Sequence, residues 1–311
     1  MKSALIGYTG FVGGNLLEKM NFTHQYNSKN IQEIKHKEFD FLICAGIPAE
    51  MFISNSNPEQ DKKNIQNILD ILATVKVKTA VLISTVAVYS QPVIADENST
   101  SFDLNTPYGK HRRMAEEQFI EMFPKHLIVR LPALFGRKIK KNFLCDIINP
   151  TPVFLKKEKL IELSEQENIL KEYYSFNDSK NMYEFQKDLA INNNKLQEIN
   201  NIFNKLNFTS LQFTHADSRF QFYNLHNLHH DIQKALENNI SILNICSEPI
   251  TPREIIKTLF DKEFNFTSAR KFSYDIQSLY ASLWDNTKYL YNKEQVITDL
   301  KLFFIENGVL L

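Results

Sequence analysis

Four of the chain's 8 glycines, Gly7, Gly10, Gly13 and Gly14, fall in one short stretch near its start. No other feature constrains the fold so tightly. Glycine gathers where the backbone takes a positive φ or comes close to another atom. The stretch lies between an apolar run, Ala4 to Ile6, and an amphipathic run carrying Phe11, Leu16, Leu17 and Met20. That order reads as strand, tight turn, helix. The spacing Gly7-x-x-Gly10-x-x-Gly13 is a variant of the dinucleotide fingerprint. In such a turn Gly7 makes the bend and Gly10 lets the backbone approach a pyrophosphate. Gly13 lets the helix lie close on the strand. The turn and helix start, with Thr9, Phe11 and Val12, would then present N–H groups to the phosphates.

The alternation continues downstream. The pattern predicts a strand at Thr23–Asn27, a brief helix at Ile31–His36 and a buried strand at Phe39–Ala45. A helix opens at Pro58 and runs to about Val75. A buried strand follows at Thr79–Ile83, then a helix at Pro107–Phe123 capped by Asn105 or Thr106. His126–Leu131 is a further strand, halted by Pro132. Strands alternating with helices imply an α/β fold, a Rossmann-type doubly wound parallel sheet. From about Pro150 the chain becomes polar, Asn-rich and helical in spacing, and Ile199, Ile202, Phe203 and Leu206 mark an inward helical face. Later elements are a helix at Phe222–Glu237, a strand at Ser241–Ile245, a helix capped by Thr251, and a helix at Lys293–Glu306. The expected division is a dinucleotide-binding domain of 1–149 plus about 222–249. A smaller, mainly helical substrate domain takes about 150–221 and 250–311.

Composition narrows the function classes. Lys+Arg number 36 and Asp+Glu 36, so the formal net charge is zero. That balance removes the electrostatic basis for non-specific binding to nucleic acid or an anionic membrane. No apolar run approaches the roughly 18 residues of a membrane-spanning helix. Nor does one near the start match the about 7–15 residues of a secretory signal. Cys44, Cys145 and Cys246 are widely spaced, which excludes a disulfide framework or a CxxC metal site and points to a reducing cytoplasm. His226 and His230 have ligand-like spacing, but histidines on one helical face are more often surface or packing residues, so no metal is expected.

Three segments follow the glycine turn in a set order: Ser84-Thr85-Val86-Ala87-Val88-Tyr89, Tyr108-Gly109-Lys110-His111-Arg112, and Arg130-Leu131-Pro132-Ala133-Leu134-Phe135-Gly136. Ligands of open parallel sheets bind beyond the carboxyl ends of the strands, where these segments fall. With Arg219-Phe220-Gln221-Phe222-Tyr223 and Asn244-Ile245-Cys246, they resemble the extended short-chain dehydrogenase/reductase family, which includes the nucleotide-sugar epimerases, dehydratases and reductases. The resemblance spans nearly the whole chain.

It implies an NAD(P)-dependent enzyme in which Tyr108 is the catalytic acid/base and Thr85 holds the substrate oxygen. The family's Lys, four residues after its Tyr, is Arg112 here. Arg keeps the charge and can donate to ribose hydroxyls, but it cannot give up a proton. Val86 and Ala87 stand where the 4,6-dehydratases of the family have an Asp-Glu pair, and neither offers the acid and base that elimination needs.

Asn27, Ser28 and Lys29 end the second strand with no carboxylate to select NAD. Ser28 and Lys29 suit a 2′-phosphate, so NADP is expected ahead of NAD. Ala45, Gly46, Ser84 and Pro132 would line the cofactor by resemblance. Asn142 and Arg219 would bind the diphosphate of the substrate. Eleven residues between Asn27 and Phe39 leave no room for an extra strand, an arrangement similar to the dTDP-sugar reductase branch. The expected activity is therefore a ketoreductase on a nucleotide-activated sugar. An epimerase with resident NAD is the first alternative, and a cofactor-binding protein with weak or lost catalysis the second. The family's relatives often form homodimers through helices like 58–75 and 107–123.

Overall fold

The computed structural model describes residues 1–178 and 180–309. The chain folds into two compact units. The first holds Met1–Ile139, Arg219–Ile250 and Ser273–Phe303; the second is built from Lys140–Ser218, Thr251–Phe272 and the chain's end from Phe304. Residues 273–303, expected with the substrate domain, thus fold with the first unit.

The first unit carries a six-stranded sheet formed by β1 (Ser3–Ile6), β2 (His24–Tyr26), β3 (Glu38–Cys44), β4 (Lys76–Thr85), β5 (His126–Leu131) and β6 (Ile242–Asn244). Its order is β6-β5-β4-β3-β1-β2 and every pairing is parallel. No strand intervenes between β2 and β3, as the short connection requires. The strands alternate core residues between two faces. Leu5, Ile43, Val81, Leu127 and Val129 enter one cluster, and Ala4, Ile6, Leu42, Cys44, Ala80, Leu82 and Ile128 enter the other. A sheet buried on both faces gives the continuous apolar runs seen in the sequence.

The helices α1 (Phe11–Leu17), α2 (Met51–Ser56), α3 (Pro58–Leu72), α4 (Pro107–Met122) and α5 (Leu228–Glu237) accompany it. Pro begins both α3 and α4, after caps in which the Asn57 side chain accepts from Gln60 N and Thr106 from Gly109 N.

One expectation needs correction. The segment from Phe222 is not helical throughout: Phe222–Asn224 is a strand paired in parallel with Ala133–Phe135, and the helix begins at Leu228. The Asn224 side chain accepts from His226 N, which holds the chain in a tight turn between strand and helix. The second unit is mainly helical and also carries a small sheet. Phe154–Leu155, Tyr174–Asn177 and Met182–Phe185 form an antiparallel sheet beside the helices Lys157–Gln166, Lys187–Asn192 and Leu196–Lys205. Leu155, Tyr174 and Phe185 meet Ile199, Ile202 and Phe203 in one cluster, so the helical stripe there packs inward. Among the described residues no helix is long and apolar enough to cross a membrane.

Candidate active site

Parallel pairing puts the carboxyl ends of β1 to β6 along one edge of the first unit. The chain leaves β1 for β2 on one side and returns to β3 on the other, so the order reverses between β1 and β3. Such a reversal opens a crevice at the carboxyl edge. Gly7 follows β1 there, and Ala45-Gly46 follow β3.

The backbone at this point leaves no room for side chains. Gly7 has φ +86°, and a Cβ on it would strike the Ala45 carbonyl and lie 2.8 Å from Gly46 N. Its N–H donates to Tyr26 O at 2.7 Å, pinning the turn to β2. A Cβ on Gly13 would strike the Gly7 carbonyl, so α1 rests directly on the turn. Gly10 is the exposed N-cap of α1 and supplies no side-chain acceptor to the first N–H groups of the helix. Those donors are left to solvent or a ligand oxygen. Thr9 is exposed, while Phe11 and Val12 pack partly against the core.

Asn15, which the sequence reading did not single out, secures the far side of α1. Its amide donates to Arg137 O and accepts from Arg137 N, both at 3.1 Å. The signal was a polar residue one turn after Phe11 on the inward side of α1.

After β2, Asn27 donates to the Tyr8 hydroxyl at 3.1 Å and accepts from Lys29 N at 2.9 Å. The Ser28 and Lys29 side chains are exposed beyond it.

The end of β4 turns at Val86–Val88, where Thr85 Oγ1 accepts from Ala87 N at 3.1 Å. Tyr108 opens α4 and is 6% exposed, with its phenol near enough to the Thr85 side chain to feel it. Its own N–H donates to Asn55 of α2 at 3.0 Å. Burial pushes the Tyr108 phenol above its ordinary value. The Arg112 charge and the Thr85 side chain pull it back, and the Asp61 charge adds to the rise. The phenol is therefore protonated at neutral pH.

Arg112 lies with its guanidinium carbon 4.0 Å from the centre of the Tyr108 ring. It is 2% exposed. Both terminal nitrogens bind Asp61 of α3, Nη1 to Oδ2 at 2.6 Å and Nη2 to Oδ1 at 2.9 Å. Nη2 also donates to Pro48 O at 2.5 Å and Ser54 Oγ at 3.0 Å. Nε alone has no partner. The terminal donors of Arg112, expected on ribose hydroxyls, are thus engaged by Asp61: a planar fork matches a planar carboxylate.

His111 Nδ1 lies 2.8 Å from Asp61 Oδ2, and Ser54 Oγ donates to Asp61 Oδ1 at 2.8 Å. Burial opposes ionisation of Asp61, yet the hydrogen bonds from Arg112, His111 and Ser54 outweigh it and hold the carboxyl below its usual range. Asp61 was also missed in the sequence. It lies four and eight residues before Ile65 and Leu69 on the buried side of α3, and a charge on an apolar stripe signals a buried partner.

Ser84, expected to line the cofactor, has a protein partner in α4. Its hydroxyl donates to Glu116 Oε1 at 2.6 Å. Glu116 is fully buried and binds Arg130 at 2.9 and 2.6 Å, and Arg130 Nη1 reaches the Tyr89 hydroxyl at 2.7 Å. This network ties α4 to β4 and β5 beneath the site. Pro132 is half-buried just after β5.

The two residues expected on the substrate have structural partners. Asn142 caps the helix Phe143–Ile148, accepting from Leu144 N and Cys145 N. Arg219 is exposed and donates to Asp275 at 3.3 Å through one nitrogen.

Residues 24–151 match the model of the NAD dependent epimerase/dehydratase family. No curated protein sequence matches the chain. Among solved structures, the dTDP-4-dehydrorhamnose reductase of Bacillus anthracis in complex with NADP is similar at 17% identity and TM-score 0.61, over 98% of this chain and 99% of that one. The UDP-N-acetylglucosamine 4-epimerase of Methanobrevibacter ruminantium, in complex with UDP-N-acetylmuramic acid, is 11% identical with TM-score 0.62, over 98% of each chain. The RMD protein of Pseudomonas aeruginosa complexed with NADPH is 13% identical with TM-score 0.62, over 99% of each chain.

Proposed function

We propose that this member of the NAD-dependent epimerase/dehydratase family is a nicotinamide-dependent reductase that acts on a keto group of a nucleotide-activated sugar. The observation that carries the reading is the buried Tyr108 phenol, beside Thr85 and covered by a fixed guanidinium. A nicotinamide cofactor, when bound, supplies hydride to the keto carbon.

The residues present fit such a cofactor. The glycine turn lies at the sheet's switch point, its backbone clear of side chains, with the N–H groups at the start of α1 uncapped. Gly7, Thr9, Gly10, Phe11, Val12 and Gly13 would hold the pyrophosphate. Ala45, Gly46 and Pro132 would flank the dinucleotide. Ser28 and Lys29, exposed after β2, would face the adenosine ribose and favour a 2′-phosphate.

Thr85 would donate to the substrate oxygen and orient it beside Tyr108. Tyr108 then gives its proton to the alkoxide as negative charge develops there. A phenol kept neutral by burial is ready to act as that acid. An oxidation-first epimerase would instead need the same group to start as a base. Arg219, with one nitrogen on Asp275, keeps further donors for a diphosphate. Asn142, the cap of the helix Phe143–Ile148, is a further proposed substrate-binding residue. We further propose a cytoplasmic homodimer paired through α3 and α4, which light scattering tests.

Titration with NADPH and NADH, followed by nicotinamide fluorescence, tests the cofactor reading. NADPH should bind more tightly, and Lys29→Ala should remove most of that preference. Tighter NADH binding, or NAD co-purifying with the chain, would favour the epimerase. Binding of neither defeats the enzyme assignment.

A further inference from the structure

We propose that Asp61 is a positioning residue for Tyr108: it holds the Arg112 guanidinium over the phenol ring and keeps it off the cofactor ribose. This inference rests on the proposed function, because it concerns how that same site is set up. It has three supports in the geometry.

First, the clamp is bidentate and buried. Both terminal nitrogens of Arg112 face the two Asp61 oxygens, and both side chains are almost inaccessible. Second, both Asp61 oxygens take a further bond, and a terminal nitrogen of Arg112 has further acceptors. Ser54 bonds both Asp61 and Arg112, His111 bonds Asp61, and Pro48 O accepts from Arg112. A carboxylate satisfied from three sides does not release its partner easily. Third, the clamp crosses elements. Asp61 comes from α3, Ser54 from α2, and His111 and Arg112 from α4, so three helices must agree on one position for the guanidinium.

A lysine at position 112 would have one compact ammonium on a flexible stem. It could reach outward to a ribose. Arginine with Asp61 cannot do both, because its fork is occupied and only Nε remains. The ionisable groups around the phenol are therefore Arg112 on its ring, Asp61 behind Arg112, and His111 beside Asp61. Towards Tyr108, α2 contributes Asn55 and β4 contributes Thr85, neither of them charged.

Two readouts separate this role from simple scaffolding. The first is the ionisation of Tyr108, followed by NMR of protein labelled at the tyrosine ring carbon bearing the hydroxyl and assigned with Tyr108→Phe. Asp61→Asn keeps the shape of the clamp but removes its negative charge, leaving Arg112's charge unbalanced beside the phenol. The Tyr108 signal should then titrate about one pH unit lower than in the parent, and Asp61→Glu should restore the parental value. The second is NADPH affinity, read by fluorescence. Since Arg112 is held off the ribose, Asp61→Asn should change the Kd by less than about threefold, a change worth under one kcal/mol.

If Asp61→Asn does not fold, Ser54→Ala takes its place, loosening the same clamp from its edge. With Asp61 still charged and Arg112 less firmly held over the ring, the Tyr108 titration should move up rather than down, by a smaller amount. An unmoved Tyr108 titration in a folded variant overturns the proposal. So does a Kd weakened more than tenfold, which would put Arg112 on the ribose. Failure of the parent protein to bind NADPH or NADH would instead remove the functional reading beneath it, and the inference with it.

Discussion

Replacing Gly13 with alanine tests the glycine turn at its tightest point. The added Cβ would run into the Gly7 carbonyl oxygen, and would lie 2.8 Å from the Gly7 carbonyl carbon and 3.0 Å from Tyr8 Cα. All three are backbone atoms, and none can rotate aside. Gly7 is itself held by its hydrogen bond to Tyr26 O and by the Ala45 carbonyl against its own α-carbon. The only escape is for α1 to lift off β1. Overpacking of this kind costs about 1–3 kcal/mol. Gly14 supplies the control. A Cβ there would meet nothing nearer than Tyr8 O at 3.6 Å, ordinary contact. Alanine in a helix interior is worth about 0.5–1 kcal/mol over glycine. The two adjacent substitutions should therefore differ by roughly 1.5–4 kcal/mol in urea denaturation, with opposite signs. NADPH binding should also fall in Gly13→Ala, since the lifted helix start carries the pyrophosphate donors. Equal stability of the two variants would refute the close approach of helix to turn.

Other consequences can be checked separately. Glu116→Ala leaves Arg130 charged and buried without its partner, and should cost about 3–5 kcal/mol by urea denaturation. In the second unit, burial raises the Asp146 carboxyl from 3.8 to about 7. The folded state therefore binds that proton more tightly than the unfolded chain does. Stability falls as pH rises between those values, so Asp146→Asn should be neutral near pH 3 and stabilising by about 2–4 kcal/mol above pH 7. Thr106→Ala removes the cap of α4 and should cost about 1 kcal/mol, read as a lowered Tm. Tyr108→Phe should abolish turnover while leaving NADPH affinity within about threefold; retained turnover would dismiss Tyr108 as the acid. In the active parent, any alkaline loss of activity due to Tyr108 should fall above its ordinary value of 10.0, because burial raises it.

Period and punctuation carried much of this fold. The apolar runs at Ala4 and Phe39 became β1 and β3, and Pro58 and Pro107 begin α3 and α4. Lys293–Glu306 is a helix with the bounds its pattern predicts. Patterning failed where pairing outweighed it. Phe222 and Tyr223 fit a helical stripe with Leu225 and Leu228, but parallel partners at Ala133 and Leu134 draw them into a strand. A partner distant in the chain has no local signature, and the same limit governs the site. Spacing alone could put Arg112 one turn beyond Tyr108, and the structure stacks it there. Spacing could not say which way the guanidinium's donors face, because that depends on Asp61, fifty-one residues earlier. Yet the two helices carried a shared hint. Asp61 aligns with Ile65 and Leu69, and Arg112 aligns with Ala115, Glu116 and Phe119, all of them buried. Opposite charges on the inward stripes of two neighbouring helices can be buried cheaply only if they meet. Read together rather than helix by helix, those stripes pair Asp61 with Arg112 from the sequence alone.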